Sequence, residues 1–281
     1  MQKYVQIPQT LLAQNIISEQ QLFQPQRATA SEILTTHDLH YWQRLNQQQL
    51  SAKEIRSIGF DMALSWVERE CYIAHASYEC ALYALHDGVA LNTSGGTHHA
   101  FRGHGEGFCI FNDLAVASHL LLLRGQAQRI LIVDLDVHQG NGTAHIFQHD
   151  PRVYTFSMHA AHNYPFEKQH SNRDVALASG TQDDEYLTLL HHHLNAILQE
   201  FVPDFIFYQA GVDVLAGDQL GKLALTTQGC RQRDELVFRF AYQHGLPIAV
   251  TMGGGYAPQL EHIVQAHCQT FTMAKKVFVG E

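Results

Sequence analysis

The sequence has few cysteines and few lysines, and both shortages narrow its possible functions. Its five cysteines are an odd number, lie far apart and include no CxxC pair, which argues against a disulfide framework and for a reducing compartment. Only six of its 18 basic residues are lysines, and the formal net charge is −9. Because no basic patch is present to neutralise phosphates, we expect no nucleic-acid partner.

The sequence also lacks the segments that lead a chain to or through a membrane. No apolar run approaches the ~18 residues that cross a bilayer. Residues 1–20 do not have the order of charged and then apolar residues that a signal peptide shows. We therefore expect a cytoplasmic protein without a membrane partner, and we favour a monomer.

From residue 88 onward, short apolar runs alternate with amphipathic stretches. The predicted strands are 88–93, 129–137, 152–158, 204–211 and 247–255. The predicted helices are 62–85, 112–124, 142–148, 183–201, 228–244 and the tail from residue 258. Continuous apolar strands are typical of a parallel sheet that helices cover on both faces. We therefore predict a single α/β domain over residues 1–281.

Each predicted strand ends in a polar or glycine-rich segment. These segments are SGGTHHA (94–100), DLDVHQGNG (134–142), SMH (157–159), AGVD (210–213) and MGGGY (252–256). In parallel α/β sheets, ligands bind beside the carboxyl ends of the strands, where these segments would meet. The sequence therefore predicts a site at this edge of the sheet.

Two aspartates and a histidine occupy alternate positions of one predicted strand. At that spacing Asp134, Asp136 and His138 would point to the same side, and buried carboxylates are costly unless they are paired or bound to a cation. Histidine and carboxylate ligands suit Zn²⁺, and a catalytic zinc site has three protein ligands. Asp136 and His138 supply two, and Asp213 is the best third candidate. The alternative is that these side chains hydrogen-bond loop backbones at the edge of the sheet.

The glycine-rich segments carry candidate groups for acid–base chemistry. One or both of His98 and His99 could serve as general base or acid. Each would need an orienting partner, for which Asp134 and Asn141 are available. Tyr256 follows three glycines, and its hydroxyl could donate to an oxyanion as it forms. The alternatives are histidines that contact loop backbone and a tyrosine that only packs in its loop.

Six motifs follow one another in a fixed order along the chain: GGTHHA, GFCIFND, VDLDVHQGNGTA, SMH, AGVD and GGGY. Together they resemble the zinc-dependent histone deacetylase superfamily, which includes acetylpolyamine amidohydrolases and acetoin-utilisation proteins. The resemblance extends from THDLHYW (36–42) to the end of the chain. Within the superfamily, GTQDDEYL (180–187) and the run from AGVDVLAGDQLGKLAL through RDELVFRF (210–240) are most similar to the class IV branch, the histone deacetylase 11-like proteins and their bacterial relatives.

The resemblance implies the arginase/deacetylase fold, a three-layer α/β domain with a mostly parallel sheet of about eight strands. Family members usually begin with a strand before the stretch that resembles MQKY at the start of this chain. Either the sheet lacks that first strand or the given start is internal to a longer chain.

The resemblance also implies roles for individual residues. The implied zinc ligands are Asp136, His138 and Asp213. The implied catalytic group is His98, His99 and Tyr256, with Asp134 and Asn141 as partners of the histidines. The implied substrate channel has Gly107, Phe108 and Gly254 in its wall. The implied structural K⁺ site is formed by Asp134, Asp136, His138, Ser157 and Met158.

One departure from the family pattern concerns the second histidine. Asn141 stands where class I enzymes have an aspartate that partners this histidine. Asparagine is usual in several other branches, so His99 is expected to be oriented less strongly by charge.

The activity that the resemblance implies is hydrolysis of an acyl-lysine amide in a protein, releasing an acetyl or a longer fatty-acyl group. Zn²⁺ is the expected metal, and Fe²⁺ is the other candidate. The alternative substrate is an acetylpolyamine or another small acylated amine, and the non-enzyme alternative is a catalytically silent protein that binds acyl ligands. A manganese hydrolase of the arginase type would need another aspartate two residues past the histidine, where this chain has Gly140.

Overall fold

Six parallel strands form the centre of the computed structural model, which describes residues 2–280. The strands are β1 (Val89–Leu91), β2 (Ile130–Asp134), β3 (Val153–Ala160), β4 (Arg173–Leu177), β5 (Phe205–Gln209) and β6 (Ile248–Thr251). They lie in the order β1-β6-β5-β2-β3-β4, and every neighbouring pair is parallel. The carboxyl ends of all these strands therefore meet at one edge of the sheet.

Ten α-helices and one short 3₁₀ helix (Glu19–Gln21) surround the sheet in this part of the chain. The α-helices are α1 (Gln2–Ala13), α2 (Ala30–Ile33), α3 (Leu39–Asn46), α4 (Ala52–Ile58), α5 (Leu64–Asp87), α6 (Asp113–Leu123), α7 (Asn141–Phe147), α8 (Asp183–Glu200), α9 (Thr227–Gln243) and α10 (Leu260–Phe278). The predicted helices lie within about two residues of the observed ones.

Alternate side chains of the strands pack on opposite faces of the sheet. On one face, Leu131 and Val133 of β2 share an apolar core with side chains of α1, α8, α9 and α10. On the other face, Ile130 and Ile132 pack in a second core with side chains of α3, α5, α6 and α7. Strands β2, β3, β5 and β6 are buried throughout, as expected for strands covered on both sides. The predicted three-layer α/β architecture is confirmed.

Helix α1 brings the start of the chain to the site edge of the sheet. It lies against α10 and buries Ile7 and Leu11. Lys3 lies on the same helical face, since these residues are four apart, and its Nζ donates to the Gly253 carbonyl oxygen (2.9 Å). The sheet has six strands within residues 2–280 rather than about eight.

The structure differs from the sequence predictions at four strands. β6 ends at Thr251 instead of continuing to residue 255. β2 ends at Asp134 instead of continuing to residue 137, and the SMH segment lies inside β3 rather than after it. The sequence pattern does not predict β4 at all. Its sequence RDVAL has two charged residues before three apolar ones, and the strand is half exposed at the edge of the sheet, so it lacks the longer apolar run of a buried strand.

Two further properties bear on the sequence predictions. Within residues 2–280, no helix is both long and apolar enough to cross a bilayer. The five cysteines are all buried free thiols. Met1 and Glu281, the end residues of the predicted domain, lie outside the described residues.

Candidate active site

Three buried side chains from two strand ends meet at the carboxyl edge of the sheet. Asp136 and His138 follow β2, and Asp213 follows β5, the neighbour of β2 in the sheet. His138 Nδ1 lies 3.1 Å from Asp136 Oδ1 and 3.3 Å from Asp213 Oδ2. One ligand atom of each residue lies within 4.8 Å of the other two. Two carboxylates and an imidazole are a donor set that suits Zn²⁺ or Fe²⁺.

Local backbone hydrogen bonds hold these side chains together. The Asp136 N–H donates to Asp134 Oδ1 (3.2 Å), and the His138 N–H donates to Asp136 Oδ1 (3.0 Å). The Val137 N–H donates to Asp213 Oδ1 (3.0 Å), which ties the two strand ends to each other. Because β2 has already ended at Asp134, strand alternation does not explain the grouping, and these turn contacts produce it instead.

The electrostatics of the three residues favour a bound cation. Burial, reinforced by the neighbouring Asp136 carboxylate, raises the pKa of Asp213 to about 6. Its Oδ2 atom is buried without an oriented hydrogen-bond donor, a costly state that a cation would relieve. Gly254 makes room for this carboxylate, since a Cβ atom there would lie 1.8 Å from Asp213 Oδ2. The residues present therefore fit a metal ion.

The tandem histidines have partners of different charge. His98 Nδ1 lies 2.7 Å from Asp134 Oδ2, and His99 Nδ1 lies 2.7 Å from Asn141 Oδ1. Burial lowers the pKa of His98, but the carboxylates of Asp134 and Asp136 outweigh it and raise that pKa to about 9. Burial and two neighbouring imidazoles hold the pKa of His99 well below its usual value. At neutral pH, His98 is therefore protonated and His99 is neutral.

Tyr256 ends the glycine loop that follows β6. Its N–H donates to Asp218 Oδ2 (2.6 Å), and the Lys3 ammonium lies 5.4 Å from the centre of its ring. The Tyr256 and Phe108 ring centres are 6.1 Å apart. Burial raises the pKa of Tyr256 well above its usual value, so the phenol keeps its proton and remains a hydrogen-bond donor.

A cavity of about 510 Å³ gives access to these side chains. The predicted site residues that line it are His98, His99, Gly107, Phe108, Asp136, His138, Asp213, Gly254 and Tyr256. Asp134 and Asn141 instead contact the histidines from behind. The backbone of Gly107 and Phe108 is left-handed, with φ of +56° and +67°, and the Phe108 side chain remains half exposed.

Comparison with known proteins agrees with this fold and this set of residues. The family profile described as histone deacetylase domain matches residues 1–271. The chain belongs to the histone deacetylase family. It is a deacetylase of the hydrolase class, in a metal-dependent family, and its candidate metal ligands are Asp136, His138 and Asp213.

Relatives of this histone deacetylase family member cover almost the whole chain. An uncharacterised protein of Picosynechococcus is 44% identical over 278 residues, which are 99% of this chain and 93% of that protein. Histone deacetylase 2 of Arabidopsis thaliana is 31% identical over 271 residues, which are 93% of this chain and 70% of that protein. The crystal structure of a histone deacetylase homolog complexed with SAHA has the same fold, with a TM-score of 0.81 at 24% identity over 99% of this chain and 81% of that chain.

The residues predicted to hold K⁺ in this deacetylase lie on and after two adjacent strands. Asp134 of β2 is in register with Ser157 of β3, and Ser157 Oγ lies 3.0 Å from His159 Nδ1. The Met158 side chain is buried in the apolar core. Any contribution of Met158 to an ion would therefore come from its backbone oxygen.

The sequence patterns do not predict two residues that lie beside the cavity of this deacetylase. Tyr164, in the loop after β3, lines the cavity with its ring edge-on to His99, at 4.9 Å between ring centres. Glu106 Oε1 accepts hydrogen bonds from Asn141 Nδ2 (2.6 Å) and from the Tyr164 hydroxyl (2.8 Å). Neither residue follows a strand directly, so a search of strand ends does not find them.

Proposed function

We propose that this deacetylase is a zinc-dependent amidohydrolase that removes an acyl group, acetyl or a longer fatty-acyl chain, from the ε-amine of lysine in proteins. The observation that carries the proposal is the arrangement along one cavity of a buried Asp–His–Asp group, a neutral histidine and a protonated tyrosine. Amide hydrolysis needs a site of positive charge, a base and an oxyanion donor, and these groups can supply all three.

Asp136, His138 and Asp213 would hold the metal ion, which we propose to be Zn²⁺, with Fe²⁺ as the alternative. When bound, such an ion lowers the pKa of a water molecule and polarises the substrate carbonyl. The Gly254 N–H donates to Asp136 Oδ2 (2.8 Å) and so fixes the orientation of that carboxylate.

His99 is the proposed base that takes a proton from the attacking water. Its Nδ1 is engaged by Asn141 Oδ1, so Nε2 is the ring nitrogen left for the substrate. A neutral imidazole can accept this proton and then deliver it to the leaving amine. His98 is already protonated and paired with Asp134, so its contribution is positive charge beside the reacting amide.

Tyr256 is the proposed donor to the oxyanion that forms when water attacks the carbonyl. Its raised pKa keeps the hydroxyl proton in place for this bond. Two aromatic lining residues, Phe108 and Tyr164, offer apolar contact to the aliphatic part of a lysine side chain. The substrate would therefore enter as an extended chain, with its amide at the buried end.

We also propose the structural K⁺ site of Asp134, Asp136, His138, Ser157 and Met158. Its support is the register of Asp134 with Ser157 on adjacent strands, which brings oxygen atoms from both strands together. Membership of the class IV branch, a cytoplasmic location and a monomeric state stay predictions.

The charge of the cavity lining favours a protein substrate over an acetylpolyamine. The exposed lining residues Arg56 and Lys222 are cationic, whereas the only lining carboxylates among residues 2–280 are the buried Asp136 and Asp213. A polyamine carries several positive charges, and this opening offers it repulsion instead of an acidic partner. An acyl-lysine in a peptide has a neutral side chain and meets no such penalty.

The test is hydrolysis of lysine peptides that carry acetyl, octanoyl or myristoyl groups, with an acetylpolyamine alongside. Zinc-loaded protein, chelator-treated protein and the His99→Ala variant are compared. We expect zinc-dependent release of the carboxylate from at least one peptide, which leaves a free ε-amine on its lysine, and no release with His99→Ala. The preferred acyl length separates a deacetylase from a defatty-acylase.

Two other outcomes would change the proposal. Hydrolysis of the polyamine alone would identify a small-molecule amidase. Stoichiometric zinc without turnover of any substrate would favour a silent acyl-binding protein.

A further inference from the structure

Glu106 lies in a tight turn between the tandem histidines and the channel wall. The Cys109 N–H donates to the Glu106 carbonyl oxygen (2.9 Å), which closes the turn. The Gly107 N–H donates to the Ser57 carbonyl oxygen (3.0 Å), and the Phe108 N–H donates to the Ile58 carbonyl oxygen (2.7 Å). The end of α4 therefore fixes the position of Glu106, whose side chain is only 18% exposed.

The Glu106 carboxylate is ionised and serves as an acceptor for two donors. Asn141 Nδ2 donates to Oε1 (2.6 Å), and so does the Tyr164 hydroxyl (2.8 Å). Burial opposes ionisation, but the His104 ring, with Nε2 3.8 Å from Oε2, and the hydrogen bonds from Asn141 and Tyr164 outweigh it and lower the pKa of Glu106 below its usual value. An ionised carboxylate accepts hydrogen bonds and cannot donate one.

This acceptor determines which way the Asn141 amide faces. An asparagine can present either its oxygen or its NH₂ group to a neighbour, so its orientation depends on its partners. Because Glu106 can only accept, the Asn141 NH₂ group faces Glu106 and Oδ1 faces His99 Nδ1. His99 must then carry its proton on Nδ1, which leaves Nε2 with a free lone pair.

We propose that Glu106 is a positioning residue that holds His99, through Asn141, in the Nδ1–H tautomer required of the base. Glu106 touches no reacting atom and acts only through its neighbours. This role adds a residue to the proposed amide hydrolysis, and its expected effect on kcat rests on that proposed function.

The second hydrogen bond of Glu106 couples the channel wall to the same base. The Tyr164 hydroxyl is bound to the carboxylate oxygen that also binds Asn141. The Tyr164 ring meets the His99 ring at 84°, with 4.9 Å between their centres. A Cβ atom at Gly107 would lie 2.7 Å from the His99 ring and 3.0 Å from the Tyr164 ring, so the turn fits closely between base and wall.

The pair of Glu106 and Asn141 therefore acts as one unit, in which one carboxylate and one amide must face each other. Asn141→Asp would put two carboxylates in contact, and like charges at this distance repel strongly. Combining it with Glu106→Gln restores one carboxylate and one amide in exchanged positions. The exchanged amide can donate to the new carboxylate, and the Tyr164 hydroxyl can accept from it, because a phenol both donates and accepts.

The decisive experiment is a double-mutant cycle on the zinc-loaded enzyme with its best acyl-lysine peptide. We expect Asn141→Asp to lower kcat by about 10- to 100-fold, with little change in KM because position 141 does not line the cavity. Glu106→Gln alone should lower kcat less than Asn141→Asp does, because the glutamine amide oxygen can still accept from Asn141. The double variant should recover most of the kcat that Asn141→Asp loses.

A double variant no better than Asn141→Asp, or a fully active Asn141→Asp variant, overturns the proposal. Circular dichroism and bound zinc verify that each variant is folded and loaded. Glu235→Gln is the matched control, because Glu235 bonds Arg239 and Lys276 and does not line the cavity. It should leave kcat unchanged.

A second readout separates this proposal from the proposed function. In protein labelled with ¹⁵N-histidine, the ring-nitrogen shifts of His99 distinguish a protonated Nδ1 from a bare one, and His99→Gln identifies the signal. We expect Nδ1–H in the wild type and a loss of that preference in Glu106→Ala. If no substrate is hydrolysed, the proposed function fails while this spectrum still decides the role of Glu106. An unchanged Nδ1–H signal in Glu106→Ala would contradict it.

Discussion

His98 and His99 are adjacent in the chain, yet their surroundings give them different charge states. The Asp134 carboxylate keeps a proton on His98, whereas burial and the imidazoles of His98 and His138 keep His99 neutral. Their ring centres are 4.1 Å apart, and one positive charge disfavours a second so close by. The pair therefore holds one extra proton at neutral pH, and the Asp134 carboxylate behind His98 favours that ring as its carrier.

Some site residues could be predicted from the sequence because their own side chains are chemically distinctive where strands end. Asp136, His138 and Asp213 are of this kind. Glu106 and Tyr164 are not, because their importance arises from contacts with residues 35 and 58 positions away in the chain. A local sequence pattern does not predict contacts between residues so far apart in the chain, so these contacts become visible only in the folded structure.

Tyr256→Phe removes the proposed oxyanion donor and leaves the ring in place. We expect kcat to fall by about 10²–10³, the usual cost of losing one such donor, without loss of folding or of bound metal. Steady-state kinetics on an acyl-lysine peptide measures the effect. Tyr242→Phe is the matched control, since Tyr242 is 59% exposed on α9, and a Tyr256→Phe enzyme as active as this control would refute the role.

The elements of the central sheet could be predicted where burial on both faces leaves a continuous apolar run. This holds for β2, β3, β5 and β6, whose existence is confirmed. The end of β2 could not be predicted, because Leu135 and Val137 remain apolar and buried after the strand has ended. There the backbone turns to satisfy the carboxylates of Asp134 and Asp136, and this preference overrides the apolar pattern.

Helix α9 is tied to the ends of two strands by one fully buried guanidinium. Arg233 Nη1 donates to the carbonyl oxygens of Gly211 (2.5 Å) and Leu135 (3.3 Å), and Nε donates to Asp234 Oδ1 (2.9 Å). Leu135 directly precedes Asp136 in the chain, and Gly211 lies two residues before Asp213. The helix thus supports the backbone under the candidate metal ligands.

Arg233→Leu would leave the Asp234 carboxylate buried without its cation. We expect the free energy of unfolding to fall by about 3–5 kcal/mol, the usual result of breaking a buried ion pair. Urea denaturation measures it. Adding Asp234→Asn removes the unpaired charge and should restore part of the loss, so an equally unstable double variant would show that the ion pair is not the cause.

Helix α1 contributes one cation to the glycine loop that carries Tyr256. The Lys3 ammonium binds the Gly253 carbonyl oxygen and lies 5.4 Å from the Tyr256 ring centre. Lys3→Met keeps the apolar stem and removes this bond. We expect a lower kcat and a loss of about 1–3 kcal/mol of stability, while Gln9→Met on the same helix should change neither. Kinetics and urea denaturation on both variants provide the comparison.

For the whole molecule, metal binding and global stability should be coupled. A ligand that binds only the folded state adds about 2.7 kcal/mol at 100 times its Kd. For a chain of this size, that corresponds to a rise in Tm of roughly 5–10 °C. Calorimetry with and without Zn²⁺ measures the rise. Asp213→Asn keeps the oxygen that binds the Val137 N–H but lacks the charge, and it should show no rise.

The order of the strands has a consequence for dividing the chain. Gly125 lies in an exposed turn, and a Cβ atom added there would have no atom within 4 Å. Along the chain, this turn falls after His98 and His99 and before the whole Asp–His–Asp group. A cut there leaves β1 on one piece, while β6, its only partner within residues 2–280, lies on the other. The larger piece would keep every metal ligand but lack the base. Two co-expressed fragments would therefore regain turnover only by reassembling through the β1–β6 pair and the contacts of α1 with α10 and of α5 with β6, so restored turnover would measure that reassembly.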